Sequence, residues 1–128
     1  VLASVTAYSI LILEGTNDIW EGISLETTIF NLNQMIEKSR SSGLRPIIAT
    51  LTPDERDGVK DLKQIPETYN PAIRQLARDQ KIPLADLYAA VIDNWANLVS
   101  EDGLHPNAEG YQIIAQKWFM AMLQRRAP

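Results

Sequence analysis

Cysteine is absent from this 128-residue chain, which removes disulfides, thiolate metal sites and cysteine nucleophiles together. An excess of positive charge is absent too: 12 Lys and Arg stand against 16 Asp and Glu, a formal net charge of −4, with no Lys/Arg-rich run. That balance argues against an electrostatic grip on nucleic acid or an anionic membrane. No apolar run is long enough to span a bilayer, since the stretch Tyr8 to Leu13 falls far short of the ~20 residues such a helix needs. Val1-Leu2-Ala3-Ser4 lacks the basic flank of a signal peptide and an initiating Met, so a processed or excised piece of a longer chain is expected. What is present is an ordinary globular composition, 45% hydrophobic and 22% charged, in a length that suits one domain.

Tyr8 to Leu13 (YSILIL) is a nearly continuous apolar, β-branched run stopped by Glu14-Gly15, the pattern of a parallel strand buried on both faces. After a turn at Gly15-Thr16-Asn17-Asp18, Ser24 is placed to cap a helix running to about Ser41, with Leu25, Ile29, Leu32 and Ile36 at helical spacing and Gly43 as its stop. Pro46 to Leu51 (PIIATL) repeats the buried-strand pattern. Thr52 to Pro66 reads as a long charged loop, of a length that usually carries function or moves. A helix is expected to start between Glu67 and Pro71 and to end near Lys81, burying Ile73, Leu76 and Ala77. A short strand at Pro83 to Leu87 follows, then a helical turn or two within Tyr88 to Asn97, a loop from Ser100 to Pro106, and a last helix capped by Asn107. On that helix Ile114, Trp118 and Met122 share a face. Strands alternating with helices imply right-handed crossovers and a three-layer α/β/α domain with a parallel sheet.

Two constellations can carry chemistry. Gly15-Thr16-Asn17-Asp18 follows a strand at the carboxyl edge where open α/β sheets bind ligands. There the Asn17 amide can face a developing oxyanion, or the four residues can form an ordinary Asx-type turn. Asp102-Gly103-Leu104-His105-Pro106-Asn107 holds the only histidine of the chain. With Asp102 three residues before His105, a compact turn can bring the carboxylate to Nδ1–H and leave Nε2 outward as a general base.

The GTND and DGLHPN blocks, in this order and separated by two β-α units, resemble those of the SGNH/GDSL hydrolases, a family of esterases, lipases and carbohydrate deacetylases. The resemblance covers roughly Tyr8 to Leu123 and includes Ile82 to Tyr88 (IPLADLY), which looks like the strand before the family's catalytic loop. It implies a flavodoxin-like fold and hydrolysis of a small-molecule carboxylic ester through an acyl-serine, with no metal or organic cofactor. By position, Asn17 resembles the oxyanion-hole asparagine, Gly15 the turn glycine of the same block, His105 the general base and Asp102 the acid that orients it.

One block has no counterpart. The family's nucleophile sits in Gly-Asp-Ser near the N-terminus, and none of Ser4, Ser9, Ser24, Ser39, Ser41, Ser42 and Ser100 follows Gly-Asp. Residues 1–128 are therefore expected to be the C-terminal part of an SGNH hydrolase domain, close to inactive alone. Its serine would come from a missing segment or from a companion N-terminal fragment. Tyr8–Leu13, central in the family's sheet, would then be an exposed edge.

Other residues carry weaker expectations. Trp20 can line an acyl pocket or staple the helix that starts at Ser24; Trp118 is assigned to the core and Trp95 to the cleft rim. Asp54, Glu55, Arg56 and Asp57 read as a solvated loop rather than a metal site. Asp18 and Asp86 read as hydrogen-bonding anchors, and Arg125 and Arg126 as solvent-exposed. Selectivity would lie in loops 19–23, 52–66 and 93–101. Two other readings compete: a non-catalytic relative keeping the fold to bind a ligand, and a phosphate-binding flavodoxin-like or receiver domain, which the lack of a Gly-rich loop disfavours. Compartment is open, although many members of the family are exported.

Overall fold

The computed structural model describes residues 7–56 and 63–124. Three parallel strands, β1 (Ser9–Ile12), β2 (Arg45–Ala49) and β3 (Leu84–Ala85), lie in the order β1-β2-β3. Between β1 and β2 run α1 (Thr16–Glu21) and α2 (Leu25–Ser41). A π-helical turn, Ile65–Tyr69, leads into α3 (Asn70–Asp79) before β3. After β3 come α4 (Leu87–Val91), a 3₁₀ turn (Ile92–Asn94), α5 (Trp95–Leu98) and α6 (Ala108–Leu123).

Helices cover both faces, because the side chains of β2 alternate between two cores. Ile48 packs with Leu32 and Ile36 of α2 and with Ile73, Leu76 and Ala77 of α3, and Ile12 of β1 joins this cluster. Ile47 and Ala49 point the other way, to Ala85, Leu87, Val91, Trp95, Leu98, Ile114 and Ala121. The three-layer architecture expected from the alternating pattern is the one observed.

Local chemistry sets the helix ends as expected. The Ser24 side chain accepts from the Thr27 N–H at 3.2 Å, and Asn107 accepts from the N–H groups of Glu109 and Gly110, so both helices begin on a capped turn. At the end of β2, the side chain of buried Asn70 takes the place of a strand neighbour. Its Oδ1 accepts from Leu51 N–H at 2.8 Å and its Nδ2 donates to Leu51 O at 3.0 Å, so no buried backbone group at that residue is left unpaired.

Several expectations are corrected. β1 is not buried on both faces: Ile12 is enclosed, but Leu11 and Leu13, 43% and 39% exposed, alternate away from it and join neither core. The segment after β1 is not an open turn, because Thr16 to Glu21 forms a helix. Trp95 is not at a rim; it is 2% exposed in the second core, brought inward as the 3₁₀ turn passes into α5. On α6 the buried residues are Gly110, Ile114 and Ala121, with Trp118 half-buried, while Met122 is exposed. Spacings of four and seven keep the buried stripe on the axis of contact, whereas Met122 has turned past it.

Candidate active site

The carboxyl ends of the strands feed the loops that meet at one cleft, as parallel α/β sheets dictate. The cleft has a volume of about 210 Å³ and is lined by Leu13 to Asn17, Thr52, Leu104, His105, Pro106, Tyr111 and Ile114. Asn17 and His105, 88 positions apart in sequence, thus share a wall.

Asp102 organises its own turn. Its Oδ1 accepts from the N–H groups of Leu104 and His105, both at 2.9 Å, and its Oδ2 lies 2.6 Å from His105 Nδ1. Three hydrogen bonds to one carboxylate favour its charged form. The bond from the His105 ring, followed by those from the two backbone N–H groups, holds the Asp102 carboxyl down at about 2. With Nδ1 so engaged, Nε2 is the ring nitrogen free to take a proton. The loop ends are closed by Ser100 N–H on His105 O at 2.8 Å and Asn107 N–H on Leu98 O at 2.7 Å.

Asn17 stands in the first turn of α1, directly after buried Gly15, whose φ of +126° is open to glycine and costly to other residues. A Cβ at Gly15 would also come within 3.2 Å of Thr28 Cγ2. Asp18 fixes the same helix from below, accepting from Thr28 Oγ1 at 2.7 Å, the anchoring role expected of it. Asn17 itself is exposed to the cleft.

Asp86 is likewise an anchor, accepting from Arg74 (2.9 and 3.0 Å), Thr50 Oγ1 (3.0 Å) and Ala89 N–H (3.2 Å). Burial raises its pKa, but these bonds, Arg74's first, outweigh burial and leave the carboxyl below its ordinary range. Trp20 lies outside the cleft lining, with the Arg56 guanidinium 4.5 Å above its ring centroid. Asp54 is not solvated. It is 5% exposed and paired with Arg56, while Asp57, Arg125 and Arg126 lie outside the described residues. Among the described residues no three His, Asp or Glu side chains cluster as metal ligands, and no serine lines the cleft.

Glu14, Thr52 and Tyr111 are cleft residues outside the two motifs, and Leu104 is one inside the second motif to which no role was given. Tyr111 had a signal, since it stands four positions after Asn107 and so one turn above the loop it overlooks. Thr52 opens the loop whose length already marked it for function, although its own residue type carried no signal.

A parallel sheet between two layers of helices, with its cleft at the carboxyl edge, is the α/β fold of the GDSL/SGNH structures. The family model for the GDSL-like lipase/acylhydrolase family matches residues 3–113, and the chain belongs to that family. Among solved structures it is similar to a GDSL-like lipase from Bacteroides thetaiotaomicron at 26% identity and a TM-score of 0.78, over 89% of this chain and 61% of that one. An acetylxylan esterase from Geobacillus stearothermophilus shares the fold at 20% identity and a TM-score of 0.74, over 100% and 64%. So does a member of the lipolytic G-D-S-L family from Veillonella parvula, at 22% and 0.76, over 97% and 69%. The chain thus spans about three fifths of the length of the first of these. Among curated proteins none matches the chain.

Proposed function

We propose that this chain is the base- and oxyanion-bearing part of a serine hydrolase that cleaves carboxylic esters through an acyl-serine. The observation that carries the reading is the 2.6 Å contact between His105 Nδ1 and Asp102 Oδ2, on a cleft that Asn17 also lines. In this mechanism His105 Nε2 removes the serine hydroxyl proton as Oγ adds to the ester carbonyl. The Asn17 side-chain amide donates to the oxyanion of the tetrahedral intermediate, and His105 returns the proton to the departing alkoxide. Water, deprotonated by the same Nε2, then adds to the acyl-serine; as the intermediate collapses, His105 gives that proton to the departing serine Oγ, releasing the carboxylic acid and restoring the serine hydroxyl. Asp102 keeps Nδ1 protonated and stabilises the imidazolium formed twice in the cycle.

The serine is assigned to a segment outside this sequence, either earlier in a longer polypeptide or in a companion chain. Three observations support that reading: no Gly-Asp-Ser occurs in the sequence, solved relatives extend well beyond the region matched, and β1 has an unpaired outer edge among the described residues. On its own the chain is expected to hydrolyse esters no faster than buffer. The test is intact-mass spectrometry after treatment with a serine-reactive fluorophosphonate. An adduct on a longer parent or a co-purifying polypeptide, lost in His105→Ala, is the expected result. An unlabelled parent that carries the Gly-Asp-Ser block would overturn the reading.

A further inference from the structure

The loop after β2 has no part in the mechanism above, yet it touches both halves of the site. The Glu55 N–H donates to Gly103 O at 2.8 Å, and Gly103 lies between Asp102 and His105. Gly103 adopts φ +71°, and a Cβ on it would stand 3.1 Å from the Glu55 carbonyl carbon and 3.3 Å from Arg56 N, so two backbones are in direct contact there. One residue further, Arg56 bonds Asp54 four times: its N–H to Oδ1 at 3.1 Å, Nε to Oδ1 and Oδ2 at 3.0 and 3.2 Å, and Nη2 to Oδ2 at 2.7 Å. The same guanidinium lies over the ring of Trp20, 4.5 Å from its centroid, on α1 three residues after Asn17.

A buried carboxylate is stable only while paired, so Asp54 fixes the fork of Arg56 rather than leaving it to roam. A guanidinium bonded along one edge and stacked on an aromatic ring is a rigid bridge between the two elements it joins. It runs from the root of the β2 loop to the helix that carries Asn17, and its neighbour Glu55 grips the loop that carries His105. We propose that Arg56 is a positioning residue that sets the distance between Asn17 and the Asp102–His105 pair. This rests on the reading of those three residues as oxyanion donor and base pair. Arg56 makes no hydrogen bond to Asn17 or His105, so its positioning effect is transmitted through Trp20 and Glu55, while its charge also acts across space on Asp102.

The experiment is amide hydrogen exchange in the purified protein, read at Glu55, for wild type, Arg56→Met and Trp20→Leu. Both variants should speed Glu55 exchange at least tenfold, the second without touching Glu55, Gly103 or the Asp54 pair. Trp20→Leu also keeps the test alive if Arg56→Met fails to fold. In the enzyme with its serine, Arg56→Met should lower kcat by ~10–10²-fold with KM within about twofold, the scale of a small misplacement of reacting groups. In an Asn17→Ala background the same change should cost little more, because the donor it places is gone. Unaltered Glu55 protection in both variants, or additive losses in the double variant, would overturn the proposal. Failure of fluorophosphonate labelling would sink the hydrolase reading while leaving the exchange result standing.

Discussion

Two strands of nearly the same composition end in opposite environments. Residues 8–13 (YSILIL) and 46–51 (PIIATL) are both short, apolar and β-branched, yet Ile47 and Ile48 of β2 are fully buried while Leu11 of β1 and Leu13 just after it are about two-fifths exposed. Ile10 and Ile12 pack towards α2 and α3, so only the face of β1 on the α6 side lacks cover. Tyr111 of α6 shares the cleft lining with Leu13 and is exposed too. The run of apolar residues specifies a strand, and the number of neighbours, which no single segment encodes, decides whether it is buried. Among the described residues, Ile47, Ile48 and Ala49 of β2 are enclosed by two cores, whereas β1 pairs with β2 alone and leaves Leu11 outside both cores.

The largest expected effect falls on the Asp102–His105 turn. Asp102→Asn in the enzyme with its serine should lower kcat by ~10⁴, as loss of the orienting carboxylate does in an acyl-transfer triad. Because the Asp102 carboxyl is held down at about 2, its pairing with His105 is present above the ordinary carboxylate range and lost only as pH falls through about 2. A pH–rate profile should therefore show no acid limb in the ordinary carboxylate range, and a limb that tracks carboxylate protonation near pH 4 would contradict this pairing. Next in size, Ile48→Ala should cost about 2–5 kcal/mol by chemical denaturation, the range for emptying a closed core site. Smallest is Leu11→Ser, expected within about 0.5 kcal/mol in this chain because the side chain is already wetted. A loss at Leu11 equal to that at Ile48 would break the comparison outright.

What could be read from the sequence was local. The caps at Ser24 and Asn107 and the Asp102–His105 turn each need partners only two or three residues away, so their residue types and spacing suffice. The remainder depended on distant partners. Trp95 sits between asparagines, which suggested a wet neighbourhood, but its burial follows from packing against Ala85, Leu87 and Ile114. Asp54 looked like one charge among several in a loop; only folding shows that the loop turns inward and carries Arg56 with it. The helix at Thr16 lacks a capping side chain at Gly15, so nothing nearby announced it.

Arg45, the first residue of β2, donates to the carbonyls of Met122 and Gln124 at the end of α6. That helix begins two residues after His105 with its cap at Asn107 and, at 16 residues, carries the chain ~24 Å away to the opposite pole of the sheet. A surface-immobilisation handle joined downstream of Gln124 would accordingly be borne on the far side from the cleft, leaving the site facing solution.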